Sequence, residues 1–433
     1  MYPQALSEFA AILARTIVRT GGVGSLVDLF AGCGGMSYGM ELAGFHSIYV
    51  NELSPDAMST YRRNQPQGSL ALDEDHQSHD IHELSGDPGR LRELSEHLRQ
   101  VAGGDVDFVT GGPPCQGFSR IGHRRTFKLD KESIPSNHLY KEMATAIEAI
   151  RPKAFIFENV QGLMSARWTP SGRKGEIWED VQDTFGSVTA DGEPYVVGPE
   201  LVHARQFGVP QNRPRVLIVG VRADVARAAG FEGKWLPEDM ETITPPHPEE
   251  LLGDLCASEW TSGGSTDFYA TNPLNETQTA LRTRRDGTVM GKGTPLTEQQ
   301  FSNHSLRVQE RFHLIRSNKA IPKEYQTRKF NQRMIPRRWP ESGPTMTVAS
   351  LPDDFVHYAE NRAPTVREWA RFQGFPDWYE FSGPRTTGGR RRAGDPSLGV
   401  WTRDLPKFTQ IGNAVPVNLA EWLGKHLGQT LNL

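Results

Sequence analysis

Cysteine is scarce in this sequence, and the few cysteines that occur form no pattern. Only Cys33, Cys115 and Cys256 are present among 433 residues. Three cysteines are too few for a disulfide framework, and the sequence has neither a Cys-x-x-Cys pair nor a Cys/His cluster that would indicate zinc. We therefore predict no metal cofactor, and we treat each cysteine as a small buried residue unless its surroundings indicate reactivity.

Long apolar runs are also missing. No stretch approaches the roughly 20 apolar residues that a membrane-spanning helix needs. Residues 1–20 carry apolar side chains at helical spacing, interrupted by Glu8 and Arg15, whereas a signal peptide has a continuous apolar core. We therefore expect a cytoplasmic protein with no membrane partner.

Positive charge is in slight deficit overall, and the net charge is −4. Its distribution is uneven, because residues 223–280 contain 2 Lys/Arg and 11 Asp/Glu, whereas residues 281–339 contain 14 Lys/Arg and 4 Asp/Glu. Such a basic block is either a phosphate-contacting surface or a solvated charged face. Charge alone does not separate the two interpretations.

Short apolar runs separated by helix-length segments dominate the first half of the chain. They predict strands at residues 26–30, 48–50, 106–109, 154–157 and 216–219. This alternation is typical of an α/β fold with a doubly wound, mostly parallel sheet. The pattern weakens after Arg222, and helical spacing returns at residues 366–375 and 417–427. We predict a sheet domain at 1–222, a smaller irregular insert at 223–345, and a return to the sheet domain at 346–433.

Polar and glycine residues follow the first predicted strands, where open parallel sheets bind their ligands. Gly32, Gly34 and Gly35 form a strand-to-helix turn, and Glu52 follows Gly32 by twenty residues at the end of the second strand. The turn lacks a phosphate-binding lysine and the Gly-x-Gly-x-x-Gly spacing, so a nucleoside cofactor without a pyrophosphate fits better than NAD or ATP; a plain tight turn is the alternative. Asp80, before Ile81, is either an adenine ligand or a helix N-cap.

A second group of reactive residues follows the middle strands. Cys115 is the one strong nucleophile of a loop made rigid by two glycines and two prolines. Glu158 ends the next strand, and Arg213 and Arg215 precede the strand at 216–219. The sequence therefore predicts a thiol, a carboxylic acid and two cations at one cleft.

Six motifs occur in an order and at spacings that are typical of one family. They are Phe-Ala-Gly-Cys-Gly-Gly (30–35), Gly-Pro-Pro-Cys-Gln-Gly-Phe-Ser (112–119), Glu-Asn-Val (158–160), Gln-x-Arg-x-Arg (211–215), Arg-Glu-x-x-Arg-x-Gln-Gly-Phe-Pro (367–376) and Gln-x-Gly-Asn-Ala-Val-Pro (410–416). Together they resemble the DNA cytosine-5 methyltransferases, of the prokaryotic restriction-modification type. The resemblance covers about residues 25–222 and 360–427.

The resemblance implies a Rossmann-like methyltransferase fold, with a target recognition domain in the insert, and a chemical role for each residue. Cys115 would attack carbon 6 of cytosine, Glu158 would assist at ring nitrogen N3, and Arg215 would steady the base. Arg213 would contact DNA phosphate. The target nucleotide must leave the stacked duplex, and Gln116, Ser119 and Gln211 would contact the DNA around it.

The same resemblance implies that the methyl donor is S-adenosylmethionine, which becomes S-adenosylhomocysteine. The residues that would line its pocket are Phe30, Ala31, Gly32, Gly34, Gly35, Met36, Glu52, Leu53, Asp80, Ile81, Pro113, Leu139, Asn413 and Ala414. Leu53 departs from the aromatic residue that the family often has over adenine, which puts ring stacking there in doubt. Bases flanking the target would be read from the basic part of the insert. The candidates are Arg307, Arg311, Arg328, Asn331, Gln332, Arg333, Arg337 and Arg338.

We therefore expect double-stranded DNA as the partner of a monomer located at the nucleoid. A cognate restriction endonuclease or an antiphage system would be its functional partner. Two alternatives stay open: a tRNA cytosine-5 methyltransferase of the same family, and a catalytically silent DNA-binding relative. The long insert favours DNA, and the intact set of Cys115, Glu158, Gln211, Arg213 and Arg215 argues against a silent protein.

Overall fold

The structure is a computed structural model that describes residues 24–114, 135–256, 260–327, 332–386 and 404–433. The helix predicted within residues 1–20 and the loop that carries Cys115, Gln116 and Ser119 lie outside these ranges, as do Arg328 and Asn331. None of the described helices has the length and hydrophobicity of a membrane-spanning segment.

Eight of the described strands form one sheet in the order β3-β2-β1-β4-β5-β8-β7-β6. The strands are β1 (Gly24–Leu29), β2 (Phe45–Asn51), β3 (Gln77–Ser78), β4 (Phe108–Gly111), β5 (Ala154–Val160), β6 (Thr189–Ala190), β7 (Glu193–His203) and β8 (Pro214–Arg222). The first five are parallel to one another, whereas β8 runs antiparallel to both β5 and β7. The predicted mostly parallel sheet is confirmed.

The sequence did not predict β7, because it contains Pro194, Gly198 and Pro199, which are rare in strand interiors. In the sheet β7 pairs along its length with β8, but it pairs with β6 over only two residues. A proline is tolerated at such an edge because its missing N–H interrupts no ladder of hydrogen bonds.

The described helices cover both faces of the sheet and build the insert. They are α1 (Gly35–Leu42), α2 (Pro55–Arg63), α3 (Ile81–Ser85), α4 (Pro88–Ala102), α5 (Leu139–Ile150), α6 (Glu176–Gly186), α7 (Ala223–Ala229), α8 (Pro248–Leu252), α9 (Glu276–Leu281), α10 (Leu306–Arg316), α11 (Val366–Phe372), α12 (Lys407–Asn413) and α13 (Val417–Leu431). Apolar residues of α4, α5 and α6 pack on one face of the sheet, and those of α1, α7 and α13 pack on the other. This arrangement is the predicted doubly wound architecture.

The sheet domain extends beyond the predicted boundary at Arg222. Helix α7 packs against the sheet, and Phe231 and Trp235 are buried in the same core. The indole of Trp235 donates a hydrogen bond to the carbonyl of Gly198 in β7 (2.9 Å), and the amide of Ile243 donates to Gln206. The weakening of the strand pattern after Arg222 therefore does not mark the end of packing on the sheet, which continues at least to Trp235.

A second core holds the insert together and includes part of the predicted C-terminal return. Leu252, Met290 and Ile335 of the insert pack there with Trp369 and Phe372 of α11. Two short parallel strands, β9 (Arg333–Met334) and β10 (Phe355–Val356), join the two segments. The stretch from residue 346 to about 381 thus packs with the insert, as does α12, whereas most buried residues of α13 pack on the main sheet.

Buried ion pairs accompany this second core. Arg371 is fully buried between Asp254 (2.5 Å) and Asp377 (2.5 Å), and Arg362 lies between Glu360 and Glu368. His357, Glu360 and Glu368 converge closely enough to hold a cation, but the guanidinium of Arg362 already balances the two carboxylates. Burial alone would raise the pKa of Glu368, yet the charge of Arg362 outweighs it and lowers that pKa to about 2.

The buried His357 makes stability depend on pH. Burial lowers its pKa to about 3 from an ordinary 6.5, so in acid the unfolded chain takes up a proton that the folded chain excludes. We expect the free energy of unfolding to fall as the pH drops from 6.5 to 4.5, by up to about 1.4 kcal/mol per pH unit from this group. Denaturant unfolding of His357→Gln should give a shallower pH dependence in that window.

The exposed His313 of α10 provides the matched control. His313→Gln should leave the pH dependence as in the parent protein. Parallel curves for His357→Gln and the parent would contradict the assignment of this dependence to His357.

Candidate active site

A glycine loop, residues 30–35, connects β1 to α1. Three of its residues have positive φ: Phe30 (57°), Gly32 (59°) and Gly34 (88°). The first helical residues of α1 have no side-chain cap, because Gly34 occupies the N-cap position. A turn of this kind presents backbone amides at a helix N-terminus, where a polar ligand can approach closely.

Glu52 joins the glycine loop to the end of β2. One carboxylate oxygen accepts a hydrogen bond from the amide of Gly32 (2.8 Å), and the other accepts from the amide of Ser54 (2.7 Å). The side chain is buried. A carboxylate offers about four acceptor positions, so bonds to amides are compatible with bonds to the hydroxyls of a ligand. The predicted twenty-residue spacing therefore brings Glu52 to the glycine loop.

The remaining predicted pocket residues differ in their surroundings. Leu53 is 64% exposed, which gives the site an apolar surface beside Glu52. Asp80 accepts a hydrogen bond from the amide of His82 (3.0 Å) and so caps the N-terminus of α3, which is the second of the two roles considered for it. Ile81 is buried in the core, and Leu139 begins α5 and is partly buried there.

The C-terminal segment reaches the glycine loop because α1 contains glycine where the two meet. A Cβ on Gly35 would lie 2.4 Å from the carbonyl oxygen of Val415, and one on Gly39 would lie 2.4 Å from Cβ of Ala420. Any larger residue would force the segments apart. The close approach places the buried Ala414 next to the loop, whereas Asn413 is exposed; that both residues line the donor pocket stays a prediction.

The catalytic candidates lie where β5 ends and β8 begins. Nε of Arg215 lies 2.5 Å from Oε1 of Glu158, and both side chains are less than one-tenth exposed. The amide of Asn159 donates a hydrogen bond to the carbonyl of Pro113 (3.0 Å), two residues before Cys115. The structure therefore assembles the carboxylate and one cation, and it ties β5 to the start of the Cys115 loop.

Two predicted DNA contacts are wrong in this structure. Arg213 is buried, and its guanidinium donates to the carbonyls of Val348 (2.8 Å), Gly412 (2.8 Å) and Ala414 (3.1 Å). Gln211 is fully buried too, and it donates to Gln373 (2.6 Å) and accepts from the amide of Val348. Both residues bind distant segments of the chain and have no surface to offer to a phosphate.

Two glutamines that were not predicted to have a role bind neighbouring segments at this site. Gln373 donates to the carbonyls of Ile411 (2.6 Å) and Ala414 (3.0 Å), and Gln410 accepts from the hydroxyl of Thr60 (2.6 Å). Both lie within the quoted motifs. Glutamine in a motif where it has no assigned chemistry could have indicated a structural role. A buried side-chain amide must be hydrogen-bonded, so such a residue is expected to join neighbouring segments.

Comparisons with known proteins agree with this geometry. The family model for C-5 cytosine-specific DNA methylases matches residues 24–429. Type II methyltransferase M.DdeI of Desulfomicrobium norvegicum is 31% identical over 427 residues, covering 93% of this chain and 88% of that protein. Type II methyltransferase M1.HphI of Haemophilus parahaemolyticus is 29% identical over 401 residues, covering 91% and 84%.

The chain belongs to the C-5 cytosine-specific DNA methylase family. It is a DNA (cytosine-5-)-methyltransferase, and the methyl donor of this family is S-adenosylmethionine. A crystal structure of a DNA modification methyltransferase encoded within an E. coli prophage has the same fold, with a TM-score of 0.62 and 21% identity over 95% of this chain and 100% of that chain.

The candidate base-reading residues of this methylase fall into two groups. Arg307, Arg333, Arg337 and Arg338 are exposed on the insert. Arg337 and Arg338 lie 3.5 Å and 2.7 Å from Glu249, in surface ion pairs that contribute little to stability. Arg311, in contrast, lies on the buried face of α10 and donates a hydrogen bond to the carbonyl of Tyr325, so its predicted contact with DNA is wrong. Gln332 is half-buried and donates to the carbonyl of Asp353.

The position of Glu52 predicts a selective defect in donor binding. We expect Glu52→Ala to raise the dissociation constant of S-adenosylmethionine by roughly ten- to hundredfold, because a charge-assisted hydrogen bond contributes about 1.5–3 kcal/mol. The single-turnover rate at saturating donor should fall much less. Calorimetric titration measures the first quantity, and rapid quench measures the second. Glu83→Ala, on the exposed face of α3, should change neither quantity. An unchanged donor affinity in Glu52→Ala would show that Glu52 does not bind the donor.

Proposed function

We propose that this methylase transfers the methyl group of S-adenosylmethionine to carbon 5 of a cytosine flipped out of duplex DNA, through a covalent adduct with Cys115. The observation that carries the proposal is the buried pair of Glu158 and Arg215, 2.5 Å apart, beside the carbonyl of Pro113 that Asn159 holds. A carboxylic group and a thiol at one edge of the sheet are what this reaction requires.

The need for the thiol follows from the chemistry of cytosine. Carbon 5 is a poor nucleophile toward a methyl sulfonium. When the Cys115 thiolate forms a bond to carbon 6, the ring electrons become enamine-like, and carbon 5 attacks the methyl group while S-adenosylhomocysteine leaves. A base then removes the proton from carbon 5, and the electron pair of that bond expels Cys115. The ring becomes aromatic again and the enzyme is regenerated.

Glu158 acts on the ring that Cys115 attacks. A proton or hydrogen bond from Glu158 at N3 stabilises the charge that develops in the ring when sulfur adds. Its location at the end of a buried strand limits its freedom, and Arg215 fixes the carboxylate from the neighbouring strand. We assign Arg215 to holding this carboxylate and the base in register, and Arg213 to holding the surrounding segments.

The glycine loop and Glu52 form the proposed donor site. The loop amides and the carboxylate suit the methionine and ribose parts of the donor, and the exposed Leu53 offers an apolar surface to its adenine. Ala414 packs against the same loop from the C-terminal segment, and we assign its neighbour Asn413 to the same site. The loop and Glu52 lie at the ends of β1 and β2, and β4 alone separates β1 from β5, which matches a donor adjacent to the reacting base.

The cellular role is proposed from the relatives, which are described as type II methyltransferases. We propose that methylation protects the DNA of a prokaryotic cell from a cognate endonuclease or serves an antiphage system. The insert of more than 100 residues between β8 and α11 favours duplex DNA over tRNA as substrate. The assembled pair of Glu158 and Arg215 weighs against a silent relative. Bisulfite sequencing of DNA from expressing cells tests activity and identifies the methylated site.

The covalent step has a direct test. We expect Cys115→Ser to abolish methylation of duplex DNA while donor affinity stays within about twofold of the parent, because a hydroxyl is not ionised near neutral pH. The parent should form a denaturant-stable adduct with a duplex carrying 5-fluorocytosine at the target, since fluorine cannot leave as a proton. Appreciable turnover by Cys115→Ser, or no donor-dependent adduct on a confirmed site, would refute the mechanism.

Sequence specificity should depend on the exposed arginines of the insert. We expect alanine at Arg307, Arg333, Arg337 or Arg338 either to relax the site at one position, at about 1–3 kcal/mol, or to weaken binding to all sequences and reduce its salt dependence. Methylation across a random-sequence library distinguishes the two outcomes.

Arg311→Ala is the matched control for this scan. It removes a buried arginine of the same segment, so it should lower the melting temperature and leave the site unchanged. If every exposed variant keeps the parental site and loses only affinity, the bases are read elsewhere.

A further inference from the structure

A tyrosine outside the proposed chemistry touches the glycine loop from the insert side. Tyr379 follows α11 and is almost completely buried. Its hydroxyl donates a hydrogen bond to the carbonyl oxygen of Cys33 at 2.6 Å. Cys33 lies between Gly32, whose amide binds Glu52, and Gly34, which caps α1. The contact therefore falls on the centre of the loop.

The loop is shaped to receive this hydroxyl. A Cβ at Gly34 would lie 2.7 Å from the oxygen of Tyr379, so a side chain there would displace it. The tyrosine ring packs against Phe375 and Phe381, with ring centroids 4.7 and 5.6 Å away. Burial raises the pKa of Tyr379 well above its usual value, which keeps the hydroxyl protonated and able to donate.

The backbone of Tyr379 is fixed as firmly as its side chain. Its carbonyl accepts a hydrogen bond from the buried guanidinium of Arg367 (2.9 Å), which also donates to the hydroxyl of Thr297 (2.9 Å) in the insert. Two residues earlier, Asp377 pairs with Arg371, and its amide donates to the carbonyl of Leu281 at the end of α9. The turn that carries Tyr379 is thus part of the insert's buried polar network.

We propose that Tyr379 is a positioning residue that fixes the glycine loop and couples donor binding to the insert. The inference rests on the proposed function, in which this loop binds S-adenosylmethionine and the insert binds DNA. The turn at residues 374–379 and the hydroxyl of Tyr379 give a shift of the insert on DNA a direct route to the centre of the loop. Coupling of this kind is reciprocal, so a bound donor affects DNA affinity by the same factor.

The test removes one oxygen and keeps the ring. We expect Tyr379→Phe to raise the dissociation constant of S-adenosylhomocysteine about three- to tenfold, the effect of one lost neutral hydrogen bond. S-Adenosylhomocysteine is the probe because it binds without turnover. Rapid-quench kinetics should show a higher KM for the donor, with the rate at saturating donor reduced by less than twofold.

Tyr195→Phe is the matched control. Tyr195 of β7 is also buried, and its hydroxyl donates to the carbonyl of Pro152 (2.7 Å) and not to the glycine loop. Both variants should lower the melting temperature, because each loses a buried hydrogen bond. Only Tyr379→Phe should weaken binding of S-adenosylhomocysteine. A purely structural role for Tyr379 predicts equal donor affinity in both variants and overturns the proposal.

The coupling is measured by repeating the titration with a duplex that carries the methylated site. In the parent protein the dissociation constant of S-adenosylhomocysteine should differ between the titrations without and with duplex, so their ratio should differ from one. In Tyr379→Phe this ratio should be closer to one. A parent ratio of one, or an unchanged ratio in the variant, overturns the coupling. If the parent protein does not bind S-adenosylhomocysteine, the proposed function itself is overturned. If the parent binds it and Tyr379→Phe binds it with the same affinity, only this inference is overturned.

Discussion

Arg213 gathers three separate segments at one guanidinium. It extends from the chain just before β8, and its donors reach carbonyls at residue 348 of the insert and at residues 412 and 414 before α13. Burial lowers its pKa well below the usual value, and the nearby charge of Arg215 adds to this. An arginine remains charged even so, and each hydrogen bond to a charged group contributes about 1.5–3 kcal/mol toward offsetting the desolvation. The segment with Asn413 and the strand with Arg215 keep their relative positions through this contact.

The antiparallel direction of β8 explains how Glu158 and Arg215 meet. In a fully parallel sheet, the residue that ends one strand and the residue that begins its neighbour lie at opposite edges. Because β8 runs against β5, Val160 pairs with Arg215 and the beginning of β8 lies at the ligand-binding edge. The reversed direction of β8 thus places Arg215 beside the carboxylate of Glu158.

The sequence was informative where function depends on local pattern. The glycine loop, Glu52 and the end of β5 follow from strand periodicity and from the common edge of parallel strands, and the structure assembles them. It was uninformative about burial of charge. Arg213 and Gln211 were assigned to DNA from the family resemblance, and Arg311 because arginine is typical of base-reading surfaces, yet all three are buried and bind groups of this chain. The domain boundary predicted at Arg222 rested on the weakening of the strand pattern, which did not reveal that Phe231 and Trp235 beyond it pack on the sheet.

The packing of α13 on α1 has a consequence for biosynthesis. The glycines of α1 accept Val415 and Ala420, which are translated long after the loop that they cover. While the ribosome is still producing the insert, the nascent chain already carries Cys115, Glu158 and Glu52, but its glycine loop lacks the covering C-terminal segment and the hydroxyl of Tyr379. The proposed donor site is therefore completed only when the C-terminal segment has been made, and a product that lacks this segment cannot complete it.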